Sequence, residues 1–357
     1  MDFLDTLNKR ILIFDGAMGT SVQALNLSED DFGGPDLEGC NEHLVITRPD
    51  AIKGIHRSFF DVGVDVIETD TFGGMGTVLA DYGLGDRSHE LSFTAARLAR
   101  EVADEYSTPN RPRFVAGSMG PGTKLPSLGH ISFSDLRDSF AEQALGLIEG
   151  GSDLIIIETM MDLLIVKAAM QGSRQAMQRA GRDVPLQVQV TIETTGRMLV
   201  GSEIGAALSA LDPMGPDVVG LNCATGPSEM TEHLRHLSQH ARVPISVIPN
   251  AGLPHIEGDQ TVYDLGPAEL ADWHARFIED FGVQVIGGCC GTTPEHLAAV
   301  VDRCSGLVAE PREIEHEPSV ASTYTPVPLM QDTSYLIIGE RTNANGSKRF
   351  REAMLEG

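Results

Sequence analysis

The chain has 357 residues, with 26 Lys or Arg against 51 Asp or Glu, so its formal net charge is −25. Nucleic acids and anionic membrane surfaces are bound through clustered positive charge, and this balance therefore argues against both as partners. The sequence has no run of about 20 apolar residues and no basic-then-apolar leader, so we expect no membrane span and a cytoplasmic location.

Short apolar runs rich in β-branched residues alternate with amphipathic segments along most of the chain. The runs are ILIF at 11–14, DVIETD at 65–70, FVAG at 114–117, LIIIE at 154–158, QVQVT at 187–191, VVGLN at 218–222, ISVIPN at 245–250 and VQVIGG at 283–288. Uninterrupted apolar runs are typical of parallel strands buried on both faces, and segments such as 89–106, 133–151 and 163–181 have helical periodicity. Eight such units in about 300 residues predict a (β/α)8 TIM barrel, an α/β fold, over residues 1–306.

A doubly wound open sheet is the alternative architecture for this pattern. Nearly every predicted strand runs into a polar or Gly-rich motif: DGAMGT, ETDTFGG, GSMGPG, ETMMD, TIETTG, NCATGP, PNAG and GGCCGTTP. An open sheet would concentrate such motifs at one switch point, whereas the loops after barrel strands converge on one rim. The distribution therefore favours the barrel, with a functional site at the carboxyl ends of its strands.

The pattern changes after the predicted barrel. Residues 307–332 contain Pro311, Pro318, Pro326 and Pro328 without a core-forming period, which predicts a linker. Residues 333–357 then begin again with a strand-like run, a Gly-containing loop and a helical segment. Because one βα unit cannot bury its own core, we expect this segment to be the start of a second, truncated α/β domain.

The distribution of cysteines gives the strongest chemical signal. Five cysteines, an odd number, do not indicate a disulfide framework. Cys223 follows the sixth predicted strand, and Cys289 and Cys290 follow the eighth, so a barrel would bring three thiols to one rim. Three thiolates with an open fourth position suit catalytic Zn²⁺. Burial as packing residues and a strained disulfide between Cys289 and Cys290 are the alternatives.

The motifs together resemble a known family. Over residues 12–301 the chain resembles the zinc-dependent homocysteine S-methyltransferases. The motifs that carry the resemblance are DGAMGT, GCNE, ETDTFG, GSMGPGTKLPSLGH, ETM, GLNCATGP, PNAGLP and GGCCGTTPEH. Within that family the chain is most similar to the amino-terminal homocysteine-binding module of cobalamin-dependent methionine synthases. The later segment IGERTNANGSKRF is similar to the opening of the pterin-binding (methyltetrahydrofolate) module of those enzymes.

The resemblance implies a role for individual residues. It implies that Zn²⁺ is bound by three thiolates and, without substrate, by a side-chain amide: Cys223, Cys289, Cys290 and Asn250. It also implies a substrate site with Asp15 and Glu158 at the ammonium, backbone N–H groups of Gly16 and Ala17 at the carboxylate, and Ser118, Glu68 and Thr69 as further candidates. Asp70 departs from the Asn expected in this family's motif, which adds an acid to an acidic site.

The implied function is activation of the homocysteine thiolate for methyl transfer. The methyl group would come from methylcobalamin, with methyltetrahydrofolate as its ultimate donor, and both would be bound by modules outside this chain. A stand-alone homocysteine methyltransferase using betaine or S-methylmethionine is one alternative, and the pterin-like segment argues against it. A non-catalytic zinc-binding barrel is another, and it would leave Asp15 and Glu158 without a role.

Overall fold

The computed structural model of the chain describes residues 2–258, 260–331 and 343–356. Its strands are β1 (Leu12–Ile13), β2 (Val66–Glu68), β3 (Phe114–Met119), β4 (Leu154–Met160), β5 (Leu186–Val190), β6 (Val218–Asn222), β7 (Ile245–Ile248), β8 (His255–Glu257), β9 (Gln260–Val262), β10 (Val285–Ile286), β11 (Ser319–Ala321) and β12 (Pro326–Pro328).

The helices that surround the strands are α1 (Phe3–Leu7), α2 (Met18–Ala24), α3 (Glu29–Phe32), α4 (Leu44–Thr47), α5 (Pro49–Asp61), α6 (Gly76–Leu79), α7 (Ser88–Tyr106), α8 (Phe133–Gly150), α9 (Leu163–Ala180), α10 (Ile204–Leu211), α11 (Pro227–His240), α12 (Pro267–Phe281), α13 (Pro294–Cys304) and α14 (Lys348–Glu356). Short 3₁₀ turns lie at Pro35–Leu37, Asn41–His43, Ala80–Tyr82, Gly85–Arg87, Pro126–Leu128 and Asp212–Met214.

Eight parallel strands form the central sheet in the order β1-β10-β7-β6-β5-β4-β3-β2. A parallel bridge between Phe14 and Val66 joins the two ends of this order. The N–H of Asp15 donates to the carbonyl of Val66 at 2.9 Å, and the N–H of Asp65 donates to that of Ile13 at 2.7 Å. The sheet is therefore closed, which confirms the predicted TIM barrel and excludes the open sheet.

Two apolar layers hold the barrel together. The inner layer consists of inward-facing strand residues: Leu12, Phe14, Val66, Phe114, Ala116, Leu154, Ile156, Val218, Ile248 and Val285. Helix α1 closes the amino-terminal end, where the ring of Phe3 packs edge-on against Phe14 at 6.4 Å and Phe114 at 5.7 Å between ring centroids. The outer layer lies between the strands and the surrounding helices.

An ion-pair cluster secures the same end of the barrel. Asp65, directly before β2, is 2% exposed and accepts hydrogen bonds from Arg10 Nη1 at 2.7 Å and Nη2 at 2.9 Å. The N–H of Ile13 donates to it at 3.2 Å, and Arg113 lies 3.4 Å away while stacking over Phe60. Because these contacts lie opposite the strand ends that carry the motifs, they serve stability.

The Pro-rich segment 307–331, here called the strap, lies against the barrel. The guanidinium of Arg312 donates to four carbonyls at and beyond the end of α11, those of Leu237, Ser238, Ala241 and Val243. Further along, Ser202 Oγ donates to the carbonyl of Thr323 at 2.6 Å, and Glu203 N–H donates to that of Tyr324 at 2.8 Å. The strap also contains the antiparallel pair of β11 and β12.

The second-domain prediction falls partly on residues outside the described part. Its strand-like run lies in residues 332–342, which the structure does not describe, and the helical segment predicted after it corresponds to α14. The division into 1–306, 307–332 and 333–357 stays a prediction. Within the described ranges, no helix is both long and apolar enough to cross a membrane.

Candidate metal and substrate site

Three cysteines converge at the carboxyl ends of the strands, as the sequence predicts. Cys223 Sγ lies 3.9 Å from Cys290 Sγ, Cys289 Sγ lies 4.0 Å from Cys290 Sγ, and all three sulfurs are within 4.8 Å of one another. Zinc bound to thiolates at about 2.3 Å in a tetrahedron separates its sulfur ligands by about 3.8 Å. These three side chains, here called the cysteine triad, therefore fit Zn²⁺.

The two alternative interpretations of these cysteines, a disulfide and burial as packing residues, do not fit this arrangement. All five thiols are free, so Cys289 and Cys290 form no disulfide. Cys40 and Cys304 are fully buried in the outer hydrophobic layer, which is typical of cysteines that serve packing. Among the residues that the structure describes, the triad is the one group of three His, Cys, Asp or Glu side chains close enough to share an ion.

Unusual backbone conformations position the triad. Cys223 and Ala224 have left-handed φ values of 61° and 59°, which side-chain-bearing residues seldom adopt. Backbone hydrogen bonds hold both cysteine loops to the strand between them, because Cys223 N–H donates to the Ile248 carbonyl and Cys289 N–H to the Pro249 carbonyl. Strain of this kind, concentrated beside reactive groups, is typical of functional sites.

The thiols of the triad are hydrogen-bonded to one another. Hydrogen bonds from Cys223, from Cys289 and then from Tyr263 lower the pKa of Cys290 to about 3. Burial and the charge of Cys290 raise the pKa of Tyr263, so its hydroxyl stays a donor. Tyr263 follows the β8–β9 hairpin, and its ring packs on Gly291, where an added Cβ would lie 2.4 Å from the ring. Sequence reasoning missed Tyr263 because no motif surrounds it.

Asn250 occupies the loop after β7, between the two cysteine-bearing loops. It is 2% exposed, and its Oδ1 has no hydrogen-bond partner among the described residues. The next residue, Ala251, donates its N–H to the carbonyl of Cys290 at 2.9 Å. A buried amide oxygen without a partner is costly, so Asn250 Oδ1 has an unused capacity to accept a hydrogen bond or bind an ion.

The carboxyl groups of Asp15, Glu68 and Glu158 lie at the carboxyl ends of other strands on the same rim. Asp15 Oδ2 accepts the N–H of Glu68 at 3.1 Å. Glu158 Oε1 accepts a hydrogen bond from Ser118 at 2.5 Å, and its Oε2 accepts one from the amide of Asn222 at 3.1 Å. The structure thus brings the predicted residues together, with Ser118 holding Glu158. Asn222, next to Cys223, is an additional member that sequence reasoning missed.

Burial makes this carboxylate cluster, Asp15, Glu68 and Glu158, a strong site for positive charge. Burial raises the pKa of Glu158 to about 7, despite the hydrogen bond from Ser118. Burial and the charge of Glu158 also raise the pKa values of Asp15 and Glu68. An ammonium group placed among these carboxyls would relieve both the desolvation and the mutual repulsion.

One cavity of about 240 Å³ connects the triad with two members of the carboxylate cluster, Glu68 and Glu158. Its wall also includes Gly16 and Ala17, where α2 begins, although the N–H of Ala17 already donates to Thr292 Oγ1 at 3.3 Å. Glu42 and Asp70 line another part of the wall. No Lys, Arg or His side chain of the described residues lines this cavity.

Comparison with known proteins identifies the family. A family model described as homocysteine S-methyltransferase matches residues 12–304. The chain belongs to the homocysteine S-methyltransferase family. Its cavity, with three thiols at one end and buried acids around it, thus lies in the barrel of a methyltransferase family. The family membership predicted from the strand-end motifs is confirmed.

Individual relatives refine this placement. The chain is 56% identical over 354 residues to the methionine synthase of Mycobacterium tuberculosis (strain ATCC 25618 / H37Rv) and 55% identical over 359 residues to that of Mycobacterium leprae (strain TN). Each alignment covers 99% of this chain, and the chain spans 30% of the length of either relative. The family's barrel is therefore shared with much longer proteins.

Solved structures agree with the fold. The metallated form of the homocysteine methyltransferase MmuM from Escherichia coli superposes with a TM-score of 0.68 at 22% identity, covering 84% of this chain and 98% of that one. The oxidized form of the same protein gives a TM-score of 0.68 at 23% identity, covering 83% and 97%. At this level of identity the likeness concerns the barrel.

Proposed function

We propose that this chain binds homocysteine and activates its thiolate for methylation to methionine. The observation that carries the proposal is the cavity that joins the cysteine triad to Glu68 and Glu158 of the buried carboxylate cluster. Homocysteine has a thiol at one end and an amino-acid group at the other, and the two ends of the cavity offer a matching partner for each. Membership of the family and the similarity to methionine synthases support the same substrate.

The carboxylate cluster would bind the ammonium group. Glu158 is oriented by Ser118 and Asn222, so its two oxygens are fixed before the substrate arrives. Asp15 is fixed by the N–H of Glu68. Such preorganisation reduces the entropy lost on binding and places the substrate sulfur at a defined point relative to the triad.

The triad and Asn250 would hold Zn²⁺. When bound there, Zn²⁺ supplies a Lewis acid that stabilises the thiolate form of the substrate, which is the nucleophilic form. Three thiolate ligands carry one more negative charge than Zn²⁺ carries positive charge, so the site keeps a net negative charge and remains electron-rich. The buried oxygen of Asn250, without a partner in the described part of the chain, suits the position that the substrate would take over.

The methyl donor would be methylcobalamin, with methyltetrahydrofolate as the ultimate source. Similarity to methionine synthases over 99% of this chain supports these partners, which would be bound by other parts of a longer protein. A stand-alone reaction with betaine or S-methylmethionine is the second candidate. A purely structural zinc barrel would not need buried acids beside the triad.

Methyl-transfer assays with the purified, zinc-loaded chain separate these proposals. We expect methionine from homocysteine when methylcobalamin is supplied, and none when betaine, S-methylmethionine or methyltetrahydrofolate is supplied alone. The Cys290→Ala variant should abolish the reaction, and Cys304→Ala, which changes a buried thiol outside the triad, should retain it. Rapid reaction with S-methylmethionine would favour the second candidate, and no methionine from any donor would contradict the proposal.

A further inference from the structure

The loops after the first and the last barrel strand are joined to each other at the rim. The motif DGAMGT follows β1, and the motif GGCCGT follows β10. The N–H of Gly288 donates to the carbonyl of Asp15 at 3.1 Å, and the N–H of Gly291 donates to Thr20 Oγ1 at 3.2 Å. These bonds form a junction between the two motifs, which lie near opposite ends of the barrel sequence.

Thr292 lies at the centre of this junction. It is fully buried, and its Oγ1 donates to the carbonyl of Cys289 at 2.7 Å and accepts the N–H of Ala17 at 3.3 Å. A Cβ added at Gly16 would lie 2.7 Å from this oxygen, and one added at Gly288 would lie 2.4 Å from it. Both positions are too close for a real Cβ, so the hydroxyl occupies a slot that two glycines from distant segments leave open.

The two joined loops lead to the two ends of the cavity. The GGCCGT loop carries two thiols of the cysteine triad, whereas the DGAMGT loop carries Asp15 of the carboxylate cluster, and its Gly16 and Ala17 line the cavity. The junction therefore fixes the separation between the proposed metal site and the proposed amino-acid site. A displacement of about 1 Å between two such sites is enough to lose much of the benefit of correct positioning.

Homocysteine and the amino acid cysteine differ by one methylene group between the sulfur and the amino-acid group. We propose that Thr292 is a positioning residue that sets the ligand length accepted by the cavity and so selects homocysteine over cysteine. The inference rests on the proposed function and adds a determinant of substrate choice to it. Of the two backbone donors expected at the substrate carboxylate, the Ala17 N–H is thereby assigned to the junction, and the Gly16 N–H remains for the substrate.

Loss of the hydroxyl should relax this selection. Valine has nearly the shape of threonine but neither donates nor accepts a hydrogen bond. In Thr292→Val the buried N–H of Ala17 loses its acceptor, and the carbonyl of Cys289 keeps only the N–H of residue 292 as a donor. Because an unsatisfied buried N–H is unfavourable, the two loops should shift relative to each other, and a shorter thiol can then reach both ends of the cavity.

Calorimetric titration of the zinc-loaded chain with homocysteine and with cysteine measures the selection as a ratio of two affinities. The unsubstituted chain should prefer homocysteine by at least about tenfold, as expected for one methylene group in a fitted site. The ratio should fall to about threefold or less in Thr292→Val and stay within about twofold of the unsubstituted value in Thr292→Ser, which keeps the hydroxyl. Thr293→Val is the matched control, because the Thr293 hydroxyl bonds to His296 at the start of α13, and its ratio should not change.

Two results would overturn the assignment. An unchanged ratio in Thr292→Val, even with both affinities lowered, would show that Thr292 has only a structural role, and a ratio near one in the unsubstituted chain would show that the cavity does not select by length. Zinc content and thermal unfolding check that the variants fold. If Thr292→Val does not fold, Thr292→Ala and Thr292→Ser decide, since they differ by the hydroxyl alone. Failure of the unsubstituted chain to bind homocysteine would instead contradict the proposed function.

Discussion

Cys223 Sγ lies 3.9 Å from Cys290 Sγ, although the two residues are 67 positions apart in the chain. Strands β6 and β10 flank β7 in the barrel, so only one strand separates the loops that follow them. The left-handed backbone at Cys223 then turns its side chain toward Cys290. The barrel therefore builds a three-sulfur site from two distant segments of the chain.

Replacing Cys223 with Ala should remove the bound metal. Loss of one of three thiolates leaves two sulfur ligands, and zinc content should fall from about one per chain to below about 0.1 after dialysis against a chelator. Elemental analysis of the purified protein measures this. Cys40→Ala, which changes a buried thiol outside the triad, is the matched control and should keep its zinc. Full zinc occupancy in Cys223→Ala would show that the triad is not the metal site.

Glu158 should make ligand binding depend on pH. Its carboxyl has a pKa of about 7 in the free protein, and an ammonium group binds the ionised form. Affinity for methionine, whose thioether does not titrate, should therefore rise with pH through about 7 and be roughly tenfold weaker at pH 6 than at pH 8. In Glu158→Gln we expect weaker binding with little pH dependence over this range. Calorimetric titrations at four pH values test both, and an unchanged profile in the variant would count against the ammonium role.

Asp65 should matter for stability and little for zinc binding. Its Ala variant would leave Arg113, which is 7% exposed, without a charge partner among the buried groups around it. Breaking a buried pair in this way typically costs about 3–5 kcal/mol in the free energy of unfolding. Denaturant unfolding measures the loss, and zinc stoichiometry in the folded variant should remain at the unsubstituted value. A loss below about 1 kcal/mol would mean that the cluster is not a main support of the barrel.

Arg312 should hold the strap against the barrel. Its guanidinium donates to four carbonyls around the end of α11, so Arg312→Ala would remove several hydrogen bonds at once. We expect faster proteolytic cleavage within residues 307–331, by about tenfold, because cleavage follows the population of the locally opened strap. Arg303→Ala, which removes an exposed ion pair with Asp272, is the control. Equal cleavage rates would show that the strap is held elsewhere.

Much of the fold and site could be predicted because the informative signals are local. Continuous apolar runs marked all eight barrel strands, and the motif after each strand marked the rim, since a barrel collects those loops on one face. Cys223, Cys289 and Cys290 were therefore placed together from position alone. Asp15 and Glu158 were located through family resemblance. The structure brings Glu158 to the cavity wall, and Asp15 lies behind the wall, where it accepts the N–H of Glu68.

The remaining features depend on packing between distant segments. The Pro-rich pattern of the strap indicated a linker, but its attachment by Arg312 depends on where α11 ends. Tyr263 directly follows the β8–β9 hairpin. The sequence Gly258-Asp259 between these strands is a hairpin signal, but the hydrogen bond of Tyr263 to Cys290 depends on how the hairpin packs against the rim. The pKa of Asp70 is raised by burial and then by the charge of Glu42, which lies 28 positions earlier in the chain. Such effects arise from burial and neighbouring charge, which one sequence does not display.

Proton release on homocysteine binding tests the central claim most directly. Calorimetric titration at pH 8, in buffers of different ionisation enthalpy, counts protons at a pH where Glu158 is already ionised. A free alkyl thiol is still mostly protonated there, so the zinc-loaded chain should release close to one proton per site, and the Cys290→Ala variant close to none. Binding of homocysteine with no proton released, or with equal release in the variant, would contradict thiolate activation by the triad.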